Sequence, residues 1–253
     1  MTGPEPAVDP QLFASMEALG EAIEAGRVAP GIRLPAERDL AAAFAVSRTQ
    51  IRKVLDDLFE EHLLVRLRGR SGGTVVAEPR VRRDLRVVAG VPRYLASQGF
   101  VHSCTVLRAG VRTPGFRSRH ALRLDDAATV CSIVRLRRAN GRPFSLETAE
   151  FPAARFPGLA DRDLTGSLYE VLTQRFGVVI GHSEELVEAV NASPREAELL
   201  EAMPGAALLA VNRVTMDADG VPFEHSRDLF VGTRVTGYVT AVSPESSCHA
   251  SQR

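Results

Sequence analysis

The stretch Pro35–Leu58 limits what this 253-residue chain can fold into more than any other. Leu40 and Phe44 lie four apart and so share one face of a helix. Ala45-Val46 breaks the pattern. Ser47 then offers a cap, and Gln50, three residues on, is placed to return the bond as a capping box. Val46 and Ile51 are spaced for a hydrophobic staple across that start. Ile51, Leu55 and Leu58 recur at helical spacing and make the buried face. Arg48, Thr49, Arg52 and Lys53 fall in the first two turns and project away from it. Two helices joined by a tight turn, the second with a polar and basic start, make a helix-turn-helix whose second helix can enter a DNA major groove. An ordinary pair of packed helices with a solvated charged face would share most of these features.

The residues after Leu58 separate the two possibilities. Leu63–Leu67 and Thr74–Val76 are β-prone runs around a basic, glycine-rich tip, Arg68-Gly69-Arg70-Ser71-Gly72-Gly73. Beside a helix-turn-helix, such a hairpin is a wing whose glycines allow close approach to a phosphate or minor groove. Upstream, Leu12, Leu19 and Ile23, with Met16 and Ala22 nearby, predict a helix that Gly26 terminates. Pro30-Gly31 and Leu34-Pro35 mark turns before the next helix, which begins after Ala36, a residue without a capping oxygen.

Charge restricts how DNA could be held. Basic and acidic residues balance at 31 each, so attraction to nucleic acid must be local. Between Arg33 and Arg70 the bases gather at the second helix start and in the wing, while Asp56, Asp57, Glu60 and Glu61 sit at the helix's far end. Lys53 is the only lysine, which excludes lysine chemistry elsewhere. Cys104, Cys131 and Cys248 show neither zinc spacing nor a disulfide framework, consistent with a reduced compartment. No apolar run approaches the roughly 18 residues of a membrane span. A cytoplasmic protein with no metal and no cofactor is expected.

Residues 77–86 carry Pro79 and four arginines, Arg80, Arg82, Arg83 and Arg86, and read as a solvated interdomain linker. Beyond it the character changes. A short helix is predicted from Val91 to Gln98, ending at Gly99. Strands are predicted around Thr105–Leu107, Val130–Arg137, Pro143–Thr148, Ser183–Val190, Ala206–Met216 and Pro222–Val231. Helices fit Ser118–Leu122, Ser167–Phe176 and Pro194–Glu201. Asn140-Gly141 and Asp219-Gly220 are hairpin turn signals. The fold class is therefore α+β around an antiparallel sheet.

The residues Gly26, Pro30-Gly31, Leu34-Pro35, Glu37-Arg38-Asp39-Leu40-Ala41, Val46-Ser47-Arg48-Thr49 and Arg52-Lys53 occur in an order that resembles the winged-helix domain of the GntR family of bacterial regulators, over about residues 12–77. Arg135-Leu136-Arg137, Asn140-Gly141-Arg142-Pro143, Glu147, Ser167-Leu168-Tyr169 and Gly220-Val221-Pro222-Phe223-Glu224 resemble the UTRA ligand-binding domain of the HutC subfamily, which has a chorismate-lyase-like fold. The organisation implied is a tail over 1–10, a winged helix-turn-helix over 11–77, a linker over 78–86, an effector-binding domain over 87–243 and a tail over 244–253. The resemblance implies a ligand-responsive regulator, usually a repressor, that binds double-stranded operator DNA with an inverted repeat as a homodimer. Arg38, Ser47, Arg48, Thr49, Gln50, Arg52, Lys53, Arg68, Gly69, Arg70, Gly72 and Gly73 are its expected DNA-binding residues.

A ligand site is expected in the second half. Arg135 and Arg137 are two apart on a strand and face one side, with Glu147 on the neighbouring strand. Ser167 opens a helix, offering a hydroxyl and free amides. With Tyr169 and Glu224 these groups suit a small polar, anionic molecule. They could equally be structural ion pairs. In HutC-type proteins that bind phosphorylated amino sugars, matching positions contact the ligand. Two departures widen the ligand class. Ala89-Gly90-Val91 replaces a hydroxyl-rich stretch, and Phe230 stands where a tyrosine is frequent. The alternative function is an enzyme with a chorismate-lyase-like domain acting on a small carboxylate or phosphate. Against it, the chain shows no Ser-His-Asp order, no paired-histidine metal motif and no P-loop.

Overall fold

The computed structural model describes residues 7–25, 27–67, 72–87 and 90–239. The chain divides into two compact units, Met1–Pro79 and Arg80–Arg253.

The first unit contains α1 (Met16–Glu24), α2 (Glu37–Ala43), α3 (Arg48–Glu60) and the hairpin β1 (Leu64–Leu67) and β2 (Gly73–Val76). Ile51, Leu55 and Leu58 of α3 are buried, with Leu19, Ile23 and Leu40 in the same core. Each such aliphatic contributes about 1.5–3 kcal/mol by leaving water. The capping box at Ser47 forms on both sides: Gln50 N donates to Ser47 Oγ (3.2 Å) and Ser47 N donates to Gln50 Oε1 (3.0 Å). Ala36 makes no side-chain cap on α2. In the turn between the two helices Ala45 adopts φ 53°, a left-handed conformation that costs a residue with a Cβ about 1–2 kcal/mol. β1 and β2 pair antiparallel from Leu64↔Val76 to Leu67↔Gly73. The expected tip residues Arg68, Gly69 and Arg70 lie outside the described residues, as do Gly26, Ala89 and the tail over 244–253.

Three expectations are corrected in this unit. Leu12 belongs to a 3-10 turn and is 77% exposed, because Ser15 caps α1 and starts it at Met16. Residues 7–10 are not a loose tail. Val8 is buried in the helical core, and its amide donates to the Arg33 carbonyl at 2.8 Å. Val46, expected to staple onto Ile51, remains exposed.

The second unit is built on a six-stranded antiparallel sheet. Its strands are β4 (His102–Arg112), β5 (Val130–Ala139), β6 (Arg142–Pro152), β7 (Ile180–Asn191), β8 (Ala207–Asp217) and β9 (Pro222–Val231). Their order is β4-β5-β6-β9-β8-β7. Asn140 (φ 50°) and Gly141 (φ 79°) both adopt the positive φ of a type I′ turn, which fixes the β5–β6 register. The helices of this unit are α4 (Val91–Ala96), α5 (Phe116–Ala121), α6 (Leu168–Phe176) and α7 (Pro194–Leu199), and a 3-10 turn spans Leu159–Asp161. One sheet face is apolar, with Leu136, Leu146, Leu208 and Leu229 packed with Ala197 and Leu200 at α7.

The segment expected as a free linker is also corrected. Val81–Asp84 forms β3, which runs parallel to β10 (Val235–Tyr238) with Val81 opposite Val235. Alternation sets this: Val81 and Arg83 are buried while Arg82 is exposed.

Candidate functional site

The start of α3 gathers exposed polar groups. Arg48, Thr49, Gln50, Arg52 and Lys53 are all exposed, while Ile51 points into the core. Arg52 Nη2 lies 2.9 Å from Glu37 Oε2 and Arg48 Nη2 lies 4.0 Å from the same oxygen. These arginines keep 59% and 65% side-chain exposure, so a phosphate or a base edge can displace the carboxylate at little cost. Arg38 is solvent-facing and pairs with its neighbour Asp39. Ser47 and Gln50 are occupied with each other in the capping box, so they position the helix start. Gly72 accepts from Arg33 Nη1 at 2.6 Å, and a side chain on Gly73 (φ 150°) would collide with that guanidinium. The two glycines therefore shape the root of the hairpin.

In the second unit, strand register builds a polar floor on one sheet face. Arg135 is opposite Glu147, which is opposite Asp228. Arg137 is opposite Ser145, and Arg213 is opposite both Glu185 and Ser226. Paired residues in antiparallel strands point the same way, so these side chains share a face. Arg135 Nε donates to Glu147 Oε2 at 2.5 Å, and Arg137 Nη2 donates to the same oxygen at 3.0 Å. Both arginines are almost wholly buried. Burial on its own would raise the Glu147 carboxyl, but Arg135 and Arg137 outweigh it and hold it at about 2. Asp228 goes the other way: burial and the facing Glu147 raise it to about 6, against the pull of Arg213.

Three elements cover this floor. From α6, Tyr169 OH donates to Glu224 Oε2 at 2.7 Å, and Thr215 Oγ1 donates to the same oxygen at 2.6 Å. Burial, with the Glu224 charge behind it, pushes the Tyr169 phenol far above its ordinary value, so it stays a neutral donor. From β3, Arg83 Nη2 donates to Glu185 Oε1 at 2.6 Å, an oxygen that also receives Arg213 Nε at 2.6 Å. The Arg83 guanidinium stands 5.3 Å above the Phe230 ring. From α4, Tyr94 shares with Arg83 the wall of an outer cleft of about 530 Å³. Between floor and cover only about 20 Å³ is open, on the scale of one water.

The expected residues are thus brought together, in unequal roles. Arg135 is fully engaged, since its Nη1 also donates to the carbonyls of Leu164 (2.8 Å) and Gly166 (2.9 Å). Arg137 keeps Nε and Nη1 buried without a partner. Ser167 caps α6 by accepting from Glu170 N at 3.3 Å, and a Cβ on Gly90 would meet its Oγ at 2.6 Å. Its hydroxyl is therefore tied to the helix start. Phe230 is core, packed on Phe144 with centroids 6.0 Å apart, and serves as the platform under Arg83. Sequence reasoning missed Arg83, Tyr94, Glu185, Arg213, Thr215 and Asp228. A period of two along β9 from Glu224 to Asp228 was a readable signal. Arg83 had none, because its burial comes from β3 pairing with β10. Among the described residues no group of three or more His, Cys, Asp or Glu is placed to hold a metal. No described helix is long and apolar enough to cross a membrane.

Comparison with known proteins adds an independent line. Residues 16–76 match the bacterial regulatory proteins of the gntR family, and residues 97–236 match the UTRA domain. The HTH-type transcriptional repressor NagR of Bacillus subtilis is 27% identical, over 90% of this chain and 93% of that protein. The HTH-type transcriptional repressor PhnF of Mycolicibacterium smegmatis is 31% identical over 84% of this chain and 87% of its own length. The histidine utilization repressor of Pseudomonas putida is 32% identical, covering 76% of this chain and 77% of that protein. The crystal structure of PhnF from Mycobacterium smegmatis superposes with a TM-score of 0.71, covering 90% of this chain and 99% of that one at 29% identity.

Proposed function

The chain belongs to the GntR family of bacterial regulators, HutC subfamily, with a DNA-binding domain followed by a UTRA domain, and on that premise we propose how its two units divide the work. It is a DNA-binding transcriptional regulator of the kind whose operator affinity is modulated by a small molecule. We read it as a cytoplasmic repressor, a homodimer joined through its effector domains on an inverted-repeat operator. Arg48 and Arg52 take base edges or phosphates, Thr49 and Lys53 support them, and Arg38 grips the backbone. Arg68, Gly69 and Arg70, expected from the sequence as wing residues, add further DNA contacts. One such helix reads only a few base pairs, so two copies reading half-sites together give the specificity.

The effector is a small polar or anionic metabolite bound on the polar floor by Arg137, Arg135, Glu147, Tyr169 and Glu224, with Ser167 and Phe230 shaping the site. The observation that carries this is a fully buried arginine, Arg137, with two guanidinium nitrogens left without partners beside a paired carboxylate. Framework ion pairs in a core satisfy their donors, whereas a ligand site keeps some in reserve. The closed floor has room for about one water, so ligand binding lifts the cover, which changes how this unit holds β3 and thereby the spacing of the two reading heads. The domain binds its ligand without turning it over.

The test starts from an operator selected out of random DNA and a thermal-shift screen of small metabolites on the full chain. A stabilising compound should change operator affinity of the wild type. Arg137→Gln should lose that response. A response of wild-type size in Arg137→Gln would move the effector site elsewhere, and turnover of the compound would favour an enzyme.

A further inference from the structure

The polar atoms left without partners around the floor are not all of one kind. Among the described residues, Arg83 Nη1, Tyr94 OH and Arg137 Nε and Nη1 are buried donors with no protein acceptor in reach. Asp228 Oδ1 and Glu185 Oε2 are buried acceptors with no protein donor in reach. The two sets interleave. Glu185 holds Arg83 and Arg213 through its other oxygen, and Arg213 Nη2 lies 3.5 Å from the other oxygen of Asp228. Arg83 and Tyr94 also line the outer cleft, so these donors lie where the cleft meets the floor.

A plain anion would satisfy the donors and place a second negative charge against Asp228 and Glu185. A plain cation would do the reverse. The charge count leads to the same conclusion. Arg83, Arg135 and Arg137, with the nearly buried Arg213, are balanced by Glu147, Glu224 and Asp228, with the nearly buried Glu185, so the set is neutral when all eight are ionised. Adding one net charge to a neutral buried set is costly, while adding a dipolar molecule of net zero charge is not.

We propose that the effector is a small zwitterion whose acid group is received by Arg137, Arg83 and Tyr94 and whose ammonium is received by Asp228 and Glu185. This rests on the reading of the floor as the effector site, and names the chemistry of what it takes. It also gives β3 a direct part in sensing. Arg83 holds Glu185 through Nη2 and offers Nη1 to the ligand, so occupancy is felt on the strand that follows the DNA-binding unit in the chain.

The experiment uses the full-length protein and matched pairs that differ only in the ammonium. The probes are β-alanine against propionate, phosphoethanolamine against ethyl phosphate and glucosamine 6-phosphate against glucose 6-phosphate, with the protein amino acids beside them, all by thermal shift and calorimetry. An ammonium-bearing member should bind, and its ammonium-free counterpart should bind at least about tenfold more weakly, because two buried carboxylate oxygens would stay unpaired. Asp228→Asn, close in shape, should shrink that ratio by weakening the zwitterion and strengthening the plain acid; Glu185→Gln should act in the same direction. A plain acid that binds as tightly as its ammonium-bearing counterpart would overturn the proposal. If that binding is lost in Arg137→Gln, the effector-site reading survives. An unchanged ratio in both carboxylate variants would also overturn it. No binding by any probe would overturn the zwitterion and count against the floor as an effector site.

Discussion

Two arginine–glutamate clusters in this protein are alike in chemistry and opposite in setting. At the start of α3, Arg52 and Arg48 share Glu37 with side chains 59% and 65% exposed. On the sheet floor, Arg135 and Arg137 share Glu147 with side chains 1% and 3% exposed. In each case two guanidiniums converge on one carboxylate oxygen. Water screens the first cluster, so it is weak and exchangeable, which suits a surface that must trade a carboxylate for DNA. The second has lost its water, so every removed partner leaves a stranded charge. Exposure, more than residue type, decides whether such a cluster trades its partners freely with water and solutes or is held in one geometry that only a matching group can enter.

The largest effect should come from breaking the buried cluster. Arg135→Ala is expected to destabilise the effector unit by about 3–5 kcal/mol, read as a lower urea midpoint, because Glu147 stays buried without its main partner. Glu37→Ala should leave the midpoint nearly unmoved. Similar shifts for both would end the contrast.

Function should respond in the opposite way. Arg48→Ala and Arg52→Ala are each expected to weaken operator binding about tenfold or more in fluorescence anisotropy, with the unfolding midpoint unchanged. Glu60→Ala, at the far end of α3, is the control. Operator affinity equal to that control would remove these arginines from the DNA-binding surface.

Asp228 probes the cost of burial through pH. Its carboxyl sits at about 6 in the folded protein against 3.8 for an ordinary aspartate. The folded state therefore holds the proton longer than the unfolded state. Stability falls as pH rises from about 4 through about 6, and the penalty, on the order of 1–3 kcal/mol, persists above that. Glu147, held at about 2, contributes stability that is present above about 4.5 and lost as pH falls toward 2. Asp228→Asn should remove the upper-window penalty, so the variant gains on the wild type between about pH 4 and pH 6. Parallel stability curves across that window would contradict the raised carboxyl.

The smallest effect belongs to the cap of the reading helix. Ser47→Ala should cost about 1 kcal/mol in denaturation, since one amide of the first turn loses its acceptor. Ala36→Ser should return a similar amount at α2, which has no side-chain cap. An unaffected Ser47→Ala variant would mean that water caps α3 equally well.

Features whose causes lie within a few residues were set by local sequence alone. The Ser47–Gln50 capping box, the buried Ile51-Leu55-Leu58 stripe and the Asn140-Gly141 turn depend on neighbours three or four positions away, and all were legible. So was the pairing of Arg135 and Arg137 with Glu147, because a tight hairpin fixes register locally. Two wrong expectations share one cause. Val8, read as tail, and Arg83, read as solvated linker, are held by partners distant in the chain: Val8 in the helical core with its amide on the Arg33 carbonyl, and Arg83 on Glu185, 102 residues away. The assembled sheet also decided that Asp228 faces Glu147, since that depends on β9 settling beside β6. Periodicity and capping are short-range and can be read from the chain. Desolvation depends on what the fold brings over a side chain, and that sets which arginines exchange partners and which are held.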